Sequence, residues 1–289
     1  VHVPDAEIDV DEALVRRLLL DQHPDLAGLP LRPLAEGWDN VVLRLGDELL
    51  VRVPRREAAA HLVEHEQRWL PGIAARVRHV VAVPEPVRIG RPSAVFPWSW
   101  TVTRWVAGRP AGASTDLPRD APETLAAFLR ALHVTAPEDA PHNPVRGGPL
   151  SGRTTAVARR LRSGRIPRTA DLERSWTQVA AAPAWQGPAL WLHGDLHPFN
   201  IVVDDHALVA VVDFGDLTAG DPATDLATAW LTFGREARQR FRAALAPDDD
   251  TWTRARGWAM SIATALAASP DGSDQRAAGL RALEAVLDD

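Results

Sequence analysis

Apolar positions recur along this chain with two different periods. Up to Val106 they mostly alternate or form short β-branched runs. Val41–Leu45 and Glu48–Val53 read as strands joined at Gly46-Asp47, a two-residue hairpin signal. Val80–Val87 and Ala94–Phe96 read as further strands. A Trp-rich run, Trp98–Val106, then ends at the break Ala107-Gly108-Arg109-Pro110. Two helices interrupt this pattern. The first runs from Val10 to Leu20, capped by Asp9 and ended at His23-Pro24. The second runs from Glu57 to Leu70 and stops at Pro71-Gly72. Its apolar face carries Ala59, Leu62, Trp69 and Leu70, and Glu66 falls on the same face. A carboxylate there is costly unless a cation meets it.

From Pro122 onward the three-and-four spacing of helices takes over. Pro122–His133 places Leu125, Phe128, Leu129 and Leu132 on one stripe. Residues 136–152, rich in Pro and Gly, read as a loop, and Thr154–Arg162 and Ala170–Ala182 as helices. A helix starting at Asp221-Pro222 buries Leu226, Ala229, Trp230 and Phe233. Arg235–Leu245, Trp252–Ala268 and Gln275–Leu287 complete a helical region. One hairpin stands inside it: Ile201–Val203 and Ala207–Val212, turning at Asp204-Asp205. The pattern predicts an α+β chain, strand-rich first and mainly helical afterwards.

Composition narrows the possibilities. A 289-residue chain that is 46% hydrophobic can bury a sizeable core, as one large domain or two lobes. There is no cysteine, so disulfide and thiol chemistry are excluded, and cytoplasmic residence is the expectation. The opening VHVPDAEIDVDEALVRR is acidic rather than signal-like, and no apolar run reaches membrane-spanning length. A formal charge of −6 argues against a nucleic-acid partner. All 32 basic residues are arginine. The acidic runs Asp248–Asp250 and Asp288-Asp289 suit either solvated surface or the approach of a polycation.

The candidate chemistry gathers at the hairpin. Folding at Asp204-Asp205 brings Asn200 and Asp213 together at its open end, and the preceding His193-Gly194-Asp195 adds a second carboxylate. Two carboxylates and an amide oxygen suit a hard cation such as Mg²⁺. His193, Asp195 and Asn200 follow the spacing His-x-Asp, four residues, Asn of kinase catalytic loops, and Asp213-Phe214-Gly215 reproduces the downstream metal-binding triplet.

The segments HGDLHPFN, VVDFGD and GDPATDLA together resemble the aminoglycoside phosphotransferase family. The resemblance implies a bilobal protein-kinase-like fold: a nucleotide-binding lobe over residues 1–103, a linker over 104–109 and a catalytic, substrate-binding lobe over 110–289. It implies Asp195 as the catalytic residue, Asn200 and Asp213 as Mg²⁺ ligands, and Asp225 as a brace for the catalytic loop. Arg52 stands on the strand where kinases carry a phosphate-contacting lysine, and the resemblance pairs it with Glu66. The turn Glu36-Gly37-Trp38-Asp39-Asn40 becomes the phosphate-facing loop, with Gly37 and Asn40 in it. Backbone groups from Arg104 to Val106 become those that meet the purine. The implied reaction moves a phosphoryl group from ATP, or alternatively GTP, to a hydroxyl of a small molecule such as a cationic antibiotic. A metabolite kinase and an inactive kinase-fold binding protein are the alternatives. A zinc-type hydrolase built on His193, Asp195 and His197 is a further one. Residues 136–185, where the substrate would be chosen, carry none of the family's motifs.

Overall fold

The computed structural model describes residues 5–37, 39–114 and 116–289, so Trp38 of the predicted phosphate-facing turn lies outside the described residues. The chain divides into two compact units. Among the described residues, one holds residues 5–78 together with Ala82–Ala107; the other holds His79–Val81 and Gly108–Asp289.

The first unit is an antiparallel sheet with a helix against each face. Its elements are α1 (Glu12–Gln22), β1 (Leu31–Glu36), β2 (Asn40–Leu45), β3 (Leu49–Pro54), α2 (Glu57–Val77), β4 (Pro86–Gly90) and β5 (Trp100–Arg104). The strand order is β1-β2-β3-β5-β4. Side chains alternate across the sheet. Leu43, Val51 and Val102 join Leu14, Val15 and Leu18 of α1 in one buried cluster. Arg52 and Thr101, directly opposite each other on β3 and β5, face the other way. There Gln67 of α2 donates to the Thr101 hydroxyl (3.1 Å) and the Trp100 carbonyl (2.9 Å).

Several boundaries differ from the sequence pattern, each for a local reason. The first helix is capped by Asp11, not Asp9, because the Asp11 carboxylate reaches the Leu14 N–H (2.7 Å). Helix α2 continues through Pro71-Gly72 to Val77, since Leu70, Ile73, Ala74 and Val77 prolong its buried stripe. Val63 occupies that stripe, whereas Leu62 and Trp69 are only half-buried. The strand expected over Val80–Val87 begins only at Pro86, because Pro84 and Pro86 donate no ladder bonds. Ala94–Phe96 is a turn, in which the Ser93 N–H donates to the Phe96 carbonyl (2.8 Å) and the Ser93 hydroxyl accepts from the Val95 N–H (3.2 Å). The connection from β2 to β3 has three residues, Gly46 to Glu48, rather than two. Strand β1, disguised by Pro33, is tolerated at the sheet edge with a bulge beside that proline.

The second unit comprises β6 (Arg109–Pro110), α3 (Ala121–Leu132), α4 (Thr154–Leu161), α5 (Thr169–Ala180), β7 (Leu190–Leu192), β8 (Ile201–Val203), β9 (Leu208–Val211), β10 (Thr218–Gly220), α6 (Ala223–Leu226), α7 (Thr228–Thr232), α8 (Arg235–Leu245), α9 (Asp249–Leu266) and α10 (Asp274–Leu287). Helix α9 is its centre: it is buried along most of its length, and α4, α5, α6, α7 and α10 pack around it. Two small sheets, β10-β7 and β6-β8-β9, carry the loops that matter for function. The hairpin β8–β9 turns where expected, with the Asp204 carboxylate accepting from the N–H groups of His206 (2.8 Å) and Ala207 (2.7 Å). Among the described residues no helix is long and apolar enough to cross a membrane.

Asp248 caps α9 by accepting from the N–H (2.7 Å) and hydroxyl (2.8 Å) of Thr251. The Thr251 N–H holds its carboxyl below the ordinary value. Replacing Asp248 with Ala should therefore cost about 1 kcal/mol at neutral pH, read by urea denaturation. A pKa lowered by folding contributes stability above the unfolded value and loses it as pH falls through the folded one. The stabilities of wild type and variant should thus converge as pH drops below about 3.9.

Candidate active site

Strand β7 delivers the loop from His193 to Asn200, and three contacts fix that loop. The Asp225 carboxylate, fully buried on α6, accepts from the backbone N–H groups of His193 (2.8 Å) and Gly194 (2.9 Å). It also meets His133 Nε2 at 3.0 Å. The buried His193 ring bridges two segments. Its Nε2–H donates to the Val212 carbonyl (2.9 Å), and its Nδ1 accepts from the Asp195 N–H (3.2 Å), which sets the tautomer. Gly194 has φ +86°, and a Cβ there would stand 2.2 Å from the Asp216 carbonyl oxygen.

These links gather the predicted residues. The Val212 N–H donates to the Asn200 carbonyl (2.9 Å), closing the open end of the β8–β9 hairpin immediately before Asp213. Asn200 Nδ2 donates to the Asp195 carbonyl (2.9 Å), which orients the amide and leaves Oδ1 with no donor among the described residues. Asp213 sits in the left-handed region at φ 64°, and Phe214 behind it packs on the His193 ring at 4.6 Å.

Arg146 is the partner that the sequence did not reveal. Its guanidinium lies 2.7 Å from the Asp195 carboxylate and 3.5 Å from Asp216, whose other oxygen accepts from Asn143 Nδ2 (2.7 Å). His197 Nε2 approaches Asp195 from the other side at 3.4 Å. Burial pushes the Asp195 carboxyl up, but Arg146 and then His197 outweigh it and hold the group well below the carboxylate range. The His197 imidazole is pushed down by burial and more strongly raised by Asp195. Asp216 is raised, chiefly by burial. Arg146 and Asn143 come from a segment read only as a loop. Asp216 directly follows Asp213-Phe214-Gly215 and was legible in position but not in role.

In the first unit, Arg52 Nη1 donates to Glu66 at 2.6 Å, and Glu66 is buried. The inward carboxylate of α2 thus has its cation. The Gly37 N–H donates to the Asn40 carbonyl (2.9 Å). Arg55 reaches the Gly37 carbonyl (3.2 Å) and Glu36 (2.6 Å), and Arg56 pairs with Asp39. Arg104 is exposed at the end of β5 and Val106 is half-buried.

The sequence matches the phosphotransferase enzyme family over residues 30–258. The chain belongs to that family. Its fold is shared with solved phosphotransferases at low identity. The GDP complex of wild-type aminoglycoside 2'-phosphotransferase-IIIa is 19% identical, with 96% of this chain and 99% of that one covered and a TM-score of 0.71. Macrolide 2'-phosphotransferase MphH from Brachybacterium faecium is 20% identical, with 94% and 97% covered and a TM-score of 0.61. The streptomycin–ATP ternary complex of APH(2")-IIa is 15% identical, with 90% and 92% covered and a TM-score of 0.60. No curated protein sequence matches the chain.

This phosphotransferase is an enzyme that moves a phosphoryl group to a hydroxyl acceptor, and the predicted α+β, kinase-like fold is the one observed. The zinc-hydrolase alternative fails on geometry. Both His193 ring nitrogens are already engaged, and no group of three or more His, Asp or Glu among the described residues could hold a metal. The Asn200 amide oxygen and the Asp213 carboxylate do fit a hard cation that takes its remaining ligands from phosphate and water.

Gly194→Ala is expected to destabilise the phosphotransferase by about 2 kcal/mol or more, since the new Cβ meets a backbone carbonyl at positive φ. Thermal unfolding checks it; an unchanged midpoint would mean that the loop tolerates a different path.

Proposed function

We propose that this phosphotransferase is a Mg²⁺-dependent small-molecule kinase. It moves the γ-phosphoryl of ATP, or of GTP, to a hydroxyl of an antibiotic-type alcohol. What supports this most is the Asp195 loop: its carboxylate is held ionised by Arg146, and its backbone is tied to Asn200 and, through His193, to the segment bearing Asp213.

In the proposed reaction the acceptor hydroxyl donates a hydrogen bond to Asp195. A carboxylate held this far toward its ionised form is a strong director of the hydroxyl and a weak base. That suits phosphoryl transfer, where positioning and electrostatics carry most of the catalysis and the proton leaves late. The bond from the γ-phosphorus to the bridging oxygen breaks as the bond to the acceptor oxygen forms. The nucleoside diphosphate leaves with that bond's electron pair, and the acceptor proton passes by way of Asp195 to solvent. Asn200 and Asp213 would hold Mg²⁺, whose chemistry is to neutralise phosphate charge. Arg52, kept in place by Glu66, is assigned to the nucleotide phosphates. The turn containing Gly37 and Asn40 and the backbone from Arg104 to Val106 are assigned to the nucleotide.

Asp195→Asn should lower kcat by about 100-fold or more while leaving the Kd for MgATP within about threefold. The test is coupled ADP release beside equilibrium nucleotide binding. Unchanged turnover would remove Asp195 from the chemistry. A folded wild-type protein that binds neither MgATP nor MgGTP would overturn the kinase reading.

A further inference from the structure

Arginine is unevenly distributed in this chain. Between Ala140 and Ala170 there are seven arginines and no Asp or Glu, although the whole chain carries a formal charge of −6. Tertiary pairing explains only part of this excess. Arg146 meets Asp195 and Asp216, Arg165 meets Asp271, and Arg168 meets Asp171 and Glu284. Arg153 and Arg160 have no carboxylate partner among the described residues, and both are half-buried.

The two side chains are fixed against α9 and converge on one residue. Arg153 Nε lies 3.4 Å from the Ser261 hydroxyl, and Arg160 Nη1 donates to the Ser261 carbonyl (3.2 Å). Just before Arg153, the Leu150 side chain packs closely on α9: a Cβ on Gly257 would stand 2.3 Å from Leu150 Cδ2. Burial, and then neighbouring guanidinium groups, lower both. Arg160 is lowered to about 10, by burial first and then by Arg153, Arg159 and Arg146. Arg153 is lowered by burial and by Arg146. Arg146 therefore links this pair to the Asp195 carboxylate that it touches. Two partly desolvated guanidinium groups, each with only a neutral partner, are a poor arrangement for an empty surface and a good one for an oxyanion.

We propose that the acceptor of this phosphotransferase is an anionic alcohol, with a carboxylate or phosphate group seated on Arg153 and Arg160. This rests on the kinase reading above, in which the acceptor hydroxyl lies at Asp195. It sets the acceptor apart from a polycationic aminoglycoside, which the same two cations would repel.

The test is equilibrium binding of citrate, glucose 6-phosphate and kanamycin to the full chain, with and without MgADP. At least one of the two oxyanions should bind about tenfold or more tightly than kanamycin, and their relative affinities separate carboxylate from phosphate recognition. The double variant Arg153→Gln/Arg160→Gln should weaken that oxyanion by about tenfold or more, with MgADP affinity unchanged. Arg153→Lys/Arg160→Lys, which keeps the charge, should retain most of the binding. Arg159→Gln/Arg162→Gln, on exposed positions of the same segment, should leave it unaltered. The proposal is overturned if neither oxyanion binds, if kanamycin binds more tightly, or if the glutamine variant binds the oxyanion as well as wild type does. A parallel loss of MgADP affinity would overturn it too, by assigning the arginines to the nucleotide. Absence of any nucleotide binding would instead sink the kinase reading, whatever the oxyanions do.

Discussion

A buried carboxylate with three N–H partners holds the loop from His193 to Asn200 in place. Asp225 has no exposed surface, and its two oxygens take the backbone N–H groups of His193 and Gly194 and the His133 ring nitrogen. A charge placed this deep is stable only when such donors are present, and removing them costs about 3–5 kcal/mol in comparable buried pairs. The dependence runs both ways. The loop needs Asp225 to anchor its turn, and Asp225 needs the loop to satisfy its charge. His193 extends the constraint to Val212, so the segments that carry Asp195 and Asp213 are tied to each other.

The same reliance on paired charge recurs away from the site, and always with arginine. Arg254 and Asp221 are both buried and meet through two contacts, at 2.7 and 3.2 Å. Arg238 meets Asp289 at 2.9 Å, and its guanidinium lies 5.7 Å from the centre of the Trp230 ring. A planar guanidinium can serve a carboxylate, a carbonyl and an aromatic face together, which an ammonium group does less well. In a chain without lysine, Arg52 beside Glu66 is one instance of a general habit rather than an isolated substitution.

A shared fold does not by itself fix which acceptor an enzyme takes. The fold is shared with aminoglycoside and macrolide phosphotransferases at about one residue in five. The carboxylate-and-amide set at Asp195, Asn200 and Asp213 is the part proposed to carry phosphoryl transfer. The arginine-rich stretch around α4 is the part proposed to meet the acceptor, a preference that family membership alone does not set.

What the sequence determined by itself was local. His193, Asp195, Asn200 and Asp213 lie within one loop and one hairpin, so spacing alone predicted their convergence. Glu66 was legible because a carboxylate on an apolar helical stripe requires a cation, and the family resemblance named Arg52 as that cation. Boundaries were less legible where a short-range rule met a longer one: Pro71 reads as a stop, yet the buried stripe continues past it to Val77. Only the tertiary structure decided the rest. Arg146 stands 49 residues from Asp195 in the chain, in a segment with no periodicity, and nothing short of packing could pair them. Arg153 and Arg160 look like ordinary helix-surface arginines in sequence. They become a distinct feature only because α9 holds them together and no carboxylate among the described residues pairs with them. Periodicity and motif spacing report on neighbours along the chain, whereas the balance of buried charge depends on which distant segments meet.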